Sequence, residues 1–169
     1  MSNGPDGESL MTKLPPDAAN SSHEESADAA TEEVFVFPLS FAQQRLWFLH
    51  QMDSASAAYN MPFAFRLSGP LDVAALGWAL SEIVRRHEIL RTTFDVLDEH
   101  PPQLIAAPQT LTPTLVDLSA LPASEREAEA ERLADEEARR PFDLERGPLL
   151  RAMLVRLGAE ERVLLLTMH

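Results

Sequence analysis

The stretch from Leu149 to His169 constrains the fold more than any other part of the chain. Leu149 to Leu157 and Arg162 to His169 are two runs dominated by Leu, Val, Met and Ala, separated only by Gly158 to Glu161. A parallel crossover needs about a dozen residues or more, so a connection this short makes the two runs antiparallel neighbours. Because apolar residues stand at successive rather than alternate positions, neither face of this hairpin is left for water. It belongs inside a sheet that is covered on both sides.

The residues upstream supply the rest of such a layer. Met61, Phe63, Phe65 and Leu67 alternate with Pro62, Ala64, Arg66 and Ser68, the period of a half-buried strand, which stops at Gly69-Pro70. Ser40 and Gln43 form a capping box that opens a helix from Phe41 to about Met52, on which Phe41, Trp47 and Phe48 widen the apolar arc so far that most of it should be covered. Asp72 caps a second helix with Val73, Leu76, Leu80, Ile83, Val84 and His87 on its inner stripe, running to Glu88 or Leu90. Strands are predicted over Thr92 to Leu97 and Gln103 to Ala107, with a turn at Asp98 to Pro102, and a short one over Leu115 to Leu118. Pro122 and Ser124 open a third helix whose acids, from Glu125 to Glu137, mostly precede Arg139 and Arg140 and read as a solvated outer face over Ala130, Leu133, Ala134 and Ala138. The pattern predicts an α/β domain over 34–169, a mixed sheet with helices on one face.

Charge and composition narrow the function classes. The net charge is -13, and residues 1–33 hold eight acids against Lys13 alone. That segment has only Leu10, Met11 and Leu14 as larger apolar groups, too few to offset the entropy of ordering, so it reads as a disordered acidic tail or linker, or a short docking element for another polypeptide. An acidic chain repels phosphate backbones and anionic lipids, which argues against nucleic acid and membrane partners. With no cysteine there is no disulfide framework, and no secretory signal follows Met1, so the expected compartment is the cytoplasm. Phosphate loops, nucleophile elbows and metal-ligand spacings are absent, and no metal is expected.

Two stretches remain in which polar groups interrupt the apolar pattern, Ser40 to Leu49 and Arg86 to Phe94. They resemble the first two signature motifs of nonribosomal peptide synthetase condensation domains, S-x-A-Q-x-R-L-W-x-L and R-H-E-x-L-R-T-x-F, at every fixed position. The resemblance continues through Tyr59-Asn60-Met61-Pro62, Leu67 to Asp72, Phe142-Asp143-Leu144 and Gly147 to Arg151, in family order. Leu164 to His169 matches the approach to the family's third motif, H-H-x-x-x-D-G, as far as its first histidine.

This resemblance implies the N-terminal lobe, incomplete as a domain, of a chloramphenicol-acetyltransferase-like fold. It implies an enzyme that joins a carrier-tethered acyl or peptidyl thioester donor to a carrier-tethered aminoacyl acceptor. No cofactor would be bound directly, the substrates arriving on phosphopantetheine arms of donor and acceptor carrier domains. Partners would be those carriers, a C-terminal lobe and, through the tail, an upstream synthetase subunit. His169, the residue at the catalytic motif, is expected to shape the site, since the family's chemistry is tied to the second histidine; the 169 residues alone are expected to be inactive. Arg86 or Arg91 is expected to order the site by holding a carboxylate. Ser40, Gln43, Arg45, Trp47 and Glu88 are expected to be architectural, and His87 a satisfied core histidine. The alternative is a lobe that docks carrier proteins without catalysis.

Overall fold

The computed structural model describes residues 34–94 and 102–169. Strand β1 (Phe35–Phe37) is followed by α1 (Phe41–Met52), β2 (Met61–Ser68), α2 (Val73–Arg86), a 3-10 turn (Glu88–Arg91), β3 (Thr92–Phe94) and β4 (Gln103–Ile105). Then come β5 (Thr114–Asp117), α3 (Ala123–Arg139), β6 (Leu150–Arg156) and β7 (Glu161–Met168). The strands divide between two sheets, an antiparallel β1-β4-β3 and a mixed β2-β7-β6-β5, where the sequence pattern suggested one. The turn expected over Asp98 to Pro102 lies, apart from Pro102, outside the described residues.

The apolar hairpin forms the centre of the larger sheet. β6 and β7 are antiparallel with Leu154 opposite Leu164 and Val155 opposite Val163, β2 extends the sheet beyond β7, and β5 joins β6 in parallel. Leu154 and its neighbour Val155 point to opposite faces, and both are buried, so the centre of the sheet is covered on both sides as the continuous apolar runs required, whereas Met61, Phe63 and Phe65 of β2, expected on a half-buried strand, are exposed. On one face Val155, Leu165, Met153, Val163 and Val116 pack against Ala130, Leu133 and Ala134 of α3.

Local chemistry sets the helix boundaries. Ser40 Oγ accepts from the Gln43 N–H at 3.3 Å and Gln43 Oε1 accepts from the Ser40 N–H at 2.8 Å, completing the capping box. Asp72 accepts from the N–H groups of Ala74 and Ala75 at the start of α2. Arg126 holds the entry to α3, its guanidinium donating to the carbonyls of Ser119, Leu121 and Leu157.

Three expectations need correction. Phe41 (90% exposed) and Phe48 lie on an open face of α1, and only Trp47 of the three aromatic residues is buried. Helix α2 stops at Arg86; His87 takes φ -113°, ψ 92°, which breaks the helical phase and carries its side chain off the inner stripe into solvent, so it is not a core histidine. Glu137 is not on the solvated face of α3. Its side chain is 8% exposed and is paired with Arg151 of β6.

Candidate active site

Backbone hydrogen bonds tie the second signature stretch to the end of β7. The His169 N–H donates to the Leu149 carbonyl at 3.1 Å, and the Leu149 N–H donates to the Leu90 carbonyl at 3.2 Å. The Phe94 N–H donates to the Leu144 carbonyl at 3.0 Å. Gly147, at φ +63°, lies against Thr93, where a Cβ would come within 3.2 Å of Thr93 Cγ2, so this contact favours glycine. The first stretch joins through Trp47, whose ring is 5.6 Å from that of Phe94 in a buried cluster with Leu39, Phe142, Leu144 and Leu149.

His169 sits at the focus of this arrangement. Its imidazole lies between two rings, Tyr59 at 6.4 Å and Phe142 at 5.9 Å, both approaching edge to face. A cavity of about 220 Å3 opens beside it, lined by Leu46, Leu49, His50, Met52 and Tyr59 among others. Burial, and after it the nearby His50, lowers the His169 pKa below its ordinary value of 6.5. Near pH 7 the neutral imidazole therefore predominates, with one nitrogen able to accept and one to donate a hydrogen bond.

The other sequence-predicted residues do not line the cavity. Gln43 bonds Gln103 at 2.8 Å, and Gln103 bonds the Pro38 carbonyl, so Ser40 and Gln43 fasten α1 to β4. Arg45 is exposed. Arg86 is 67% exposed and shares Glu82 with Arg85; hydrogen bonds from Arg85, then Arg86, hold the Glu82 carboxyl down at about 2. Arg91 is mostly buried and donates to the Ala106 carbonyl and, at 3.3 Å, to the exposed Glu88. Its Nε is buried with no hydrogen-bond partner among the described residues.

Sequence reasoning passed over the two rings that face His169 and the arginine stacked behind one of them. Tyr59, Phe142 and Arg151 all stood within stretches that matched the family, but an aromatic ring or an arginine in a strand carries no chemical signal until its neighbours are known. His50 lies three positions after Trp47, on the same side of α1, and its ring is 5.8 Å from the indole. Among the described residues no group of His, Asp and Glu is placed to hold a metal, and no helix is long and apolar enough to cross a membrane.

Comparison with known proteins places this geometry in a family. The sequence profile of the condensation domain matches residues 35–169. The chain is 54% identical over 134 residues to chondramide synthase of Chondromyces crocatus and 51% identical over 132 residues to a linear gramicidin synthase of Brevibacillus parabrevis. These matches cover 79% and 78% of the chain but 3% of each relative, so the chain spans a small part of their length. Among solved structures, the first condensation domain of the calcium-dependent antibiotic synthetase superposes with a TM-score of 0.67 at 28% identity, over 80% of this chain and 32% of that one. The starter condensation domain of rhizomide synthetase shares the fold, with a TM-score of 0.71 at 23% identity over 80% of this chain and 32% of that one. Residues 35–169 belong to the condensation domain family of nonribosomal peptide synthetases.

Proposed function

We propose that residues 34–169 form the N-terminal lobe of a domain that makes a peptide bond between two carrier-bound substrates, and that residues 1–33 are a tail that links or docks to an upstream synthetase subunit. The observation that carries this reading is the convergence of both signature stretches on His169, beside a cavity lined by His50 and Tyr59. Donor and acceptor arrive on phosphopantetheine arms of separate carrier domains, in the cytoplasm, and no cofactor is bound directly.

In this reaction the acceptor amine nitrogen attacks the donor thioester carbon. The C–N bond forms, the C–S bond breaks, the thiolate leaves on the donor arm and the amine gives up a proton. A reference α-amino pKa of about 7.7 to 8.0 leaves an appreciable fraction of amine neutral near pH 7, so positioning matters at least as much as deprotonation. The family's chemistry is tied to the second histidine of its third motif, whose first histidine His169 matches. His169 shapes the site, and Arg91, whose Nε is unpartnered among the described residues, holds a carboxylate of the complete domain.

The test uses a complete domain carrying these residues, with an acyl-loaded donor carrier and an aminoacyl-loaded acceptor carrier. Product on the acceptor carrier supports the reading. Carrier binding without transfer would favour a docking lobe. The 169 residues alone are expected to give no product.

A further inference from the structure

The carbonyl end of α3 is held in an unusual way. Asn60 Nδ2 donates to the carbonyls of Ala138 at 2.8 Å and Arg140 at 2.9 Å. Arg151, from β6, donates to the carbonyls of Arg140 at 2.8 Å, Pro141 at 3.0 Å and Glu137 at 3.2 Å, and to the Glu137 carboxylate. The last carbonyls of a helix have no partners within it. Here two side chains from distant parts of the chain meet on them and share one, that of Arg140.

Each of these side chains also leads to a ring that faces His169. Asn60 is next to Tyr59 in the chain. The Arg151 guanidinium lies 3.7 Å from the centre of the Phe142 ring, and that ring is 5.9 Å from the His169 imidazole. A cation stacked on the ring face and a guanidinium fixed by four acceptors leave Phe142 little freedom.

We propose that Arg151 is a positioning residue for the His169 site. It locks the end of α3 and seats the Phe142 ring against the imidazole, which fixes the orientation of His169 and its partial burial. Asn60 does the same for the Tyr59 side through the shared Arg140 carbonyl. The inference rests on reading this corner as the site of the condensation domain. Its test does not depend on peptide formation, so the two can fail separately.

The groups facing His169 are His50, Asp53 and Tyr59 on the cavity side, Phe142 with Arg151 behind it, and, in the 169-residue chain, the α-carboxylate of His169 itself, which is the same in every variant compared. The experiment is an NMR titration of the His169 side chain in the 169-residue chain. Phe142→Leu and Arg151→Lys are each compared with wild type. Both are expected to raise the His169 pKa toward its ordinary value and to shift its ring protons. Arg151→Lys added to Phe142→Leu is expected to change His169 no further, because Arg151 acts through the ring. If Arg151→Lys fails to fold, Arg151→Met combined with Glu137→Met, which strands no buried charge, takes its place and is expected to shift His169 in the same direction. Folded variants in which the His169 titration and ring-proton shifts match wild type overturn the proposal, as does a full additive effect in the double variant.

Discussion

Replacing the partners of the Glu137–Arg151 pair one at a time and then together should give strongly non-additive losses of stability. The Glu137 side chain is 8% exposed and that of Arg151 15%, so neither charge can be left to water when the other is removed. Breaking a buried pair costs about 3–5 kcal/mol when one charge is stranded, whereas replacing both charges by apolar groups can be nearly neutral. Arg140, 3.6 Å from Glu137, softens the first single variant, so Arg151→Met should cost about 3 kcal/mol. Glu137→Met strands a guanidinium that keeps three carbonyl acceptors and the Phe142 ring, and should cost about 2–3 kcal/mol. In the double variant the exposed Pro141 carbonyl exchanges its donor for water, while the carbonyls of Arg140 and Glu137 each lose one donor and keep another, from Asn60 and from the Arg140 N–H, leaving a loss of about 1–2 kcal/mol. Urea unfolding of the four proteins measures the cycle. The expected coupling is at least ~2 kcal/mol, and single losses that add within about 0.5 kcal/mol would refute the assignment of a stranded buried charge.

Three further outcomes follow from other parts of the molecule. His169 has its pKa lowered by burial and by His50, so the unfolded chain binds the proton first as pH falls; stability should decrease below the ordinary histidine pKa of 6.5, and His169→Gln should remove that part of the pH dependence in thermal melts. Ser40→Ala removes one half of the capping box and should cost about 1 kcal/mol in urea unfolding. Arg91→Lys in a complete domain should reduce peptide formation sharply, because a lysine cannot reproduce a guanidinium that spans the Ala106 carbonyl and Glu88; an unchanged rate would make Arg91 peripheral.

What was legible in the sequence was local or periodic. The bounds of α1, its capping box, the start of α2 at Asp72, strand β2 and the buried hairpin β6–β7 all depend on neighbours within a few residues, and all formed where the pattern placed them. The split into two sheets and the parallel pairing of β5 with β6 are long-range choices that no local pattern encodes. Glu137 reads as one more acid on a charged helix until Arg151 is found opposite it. Likewise, Arg91 has no carboxylate at helical spacing except Glu88, and its main partner is a backbone carbonyl that the sequence cannot display.

The exposed face of α1 has a related explanation. Phe41 and Phe48 carried an apolar pattern that predicted burial, and they are open in this chain, which covers about a third of the length of solved condensation domains. A pattern of this kind reports the environment for which a helix was selected. It does not say whether the covering surface lies within the same stretch of sequence.

Transfer between loaded carriers tests the central claim most directly. A complete domain carrying these residues is mixed with acyl-loaded donor and aminoacyl-loaded acceptor carriers, and the acceptor is analysed by intact-protein mass spectrometry. The account predicts an acceptor carrier heavier by the donor acyl group, with a free thiol on the donor arm. Both carriers bound and the acceptor mass unchanged would contradict it.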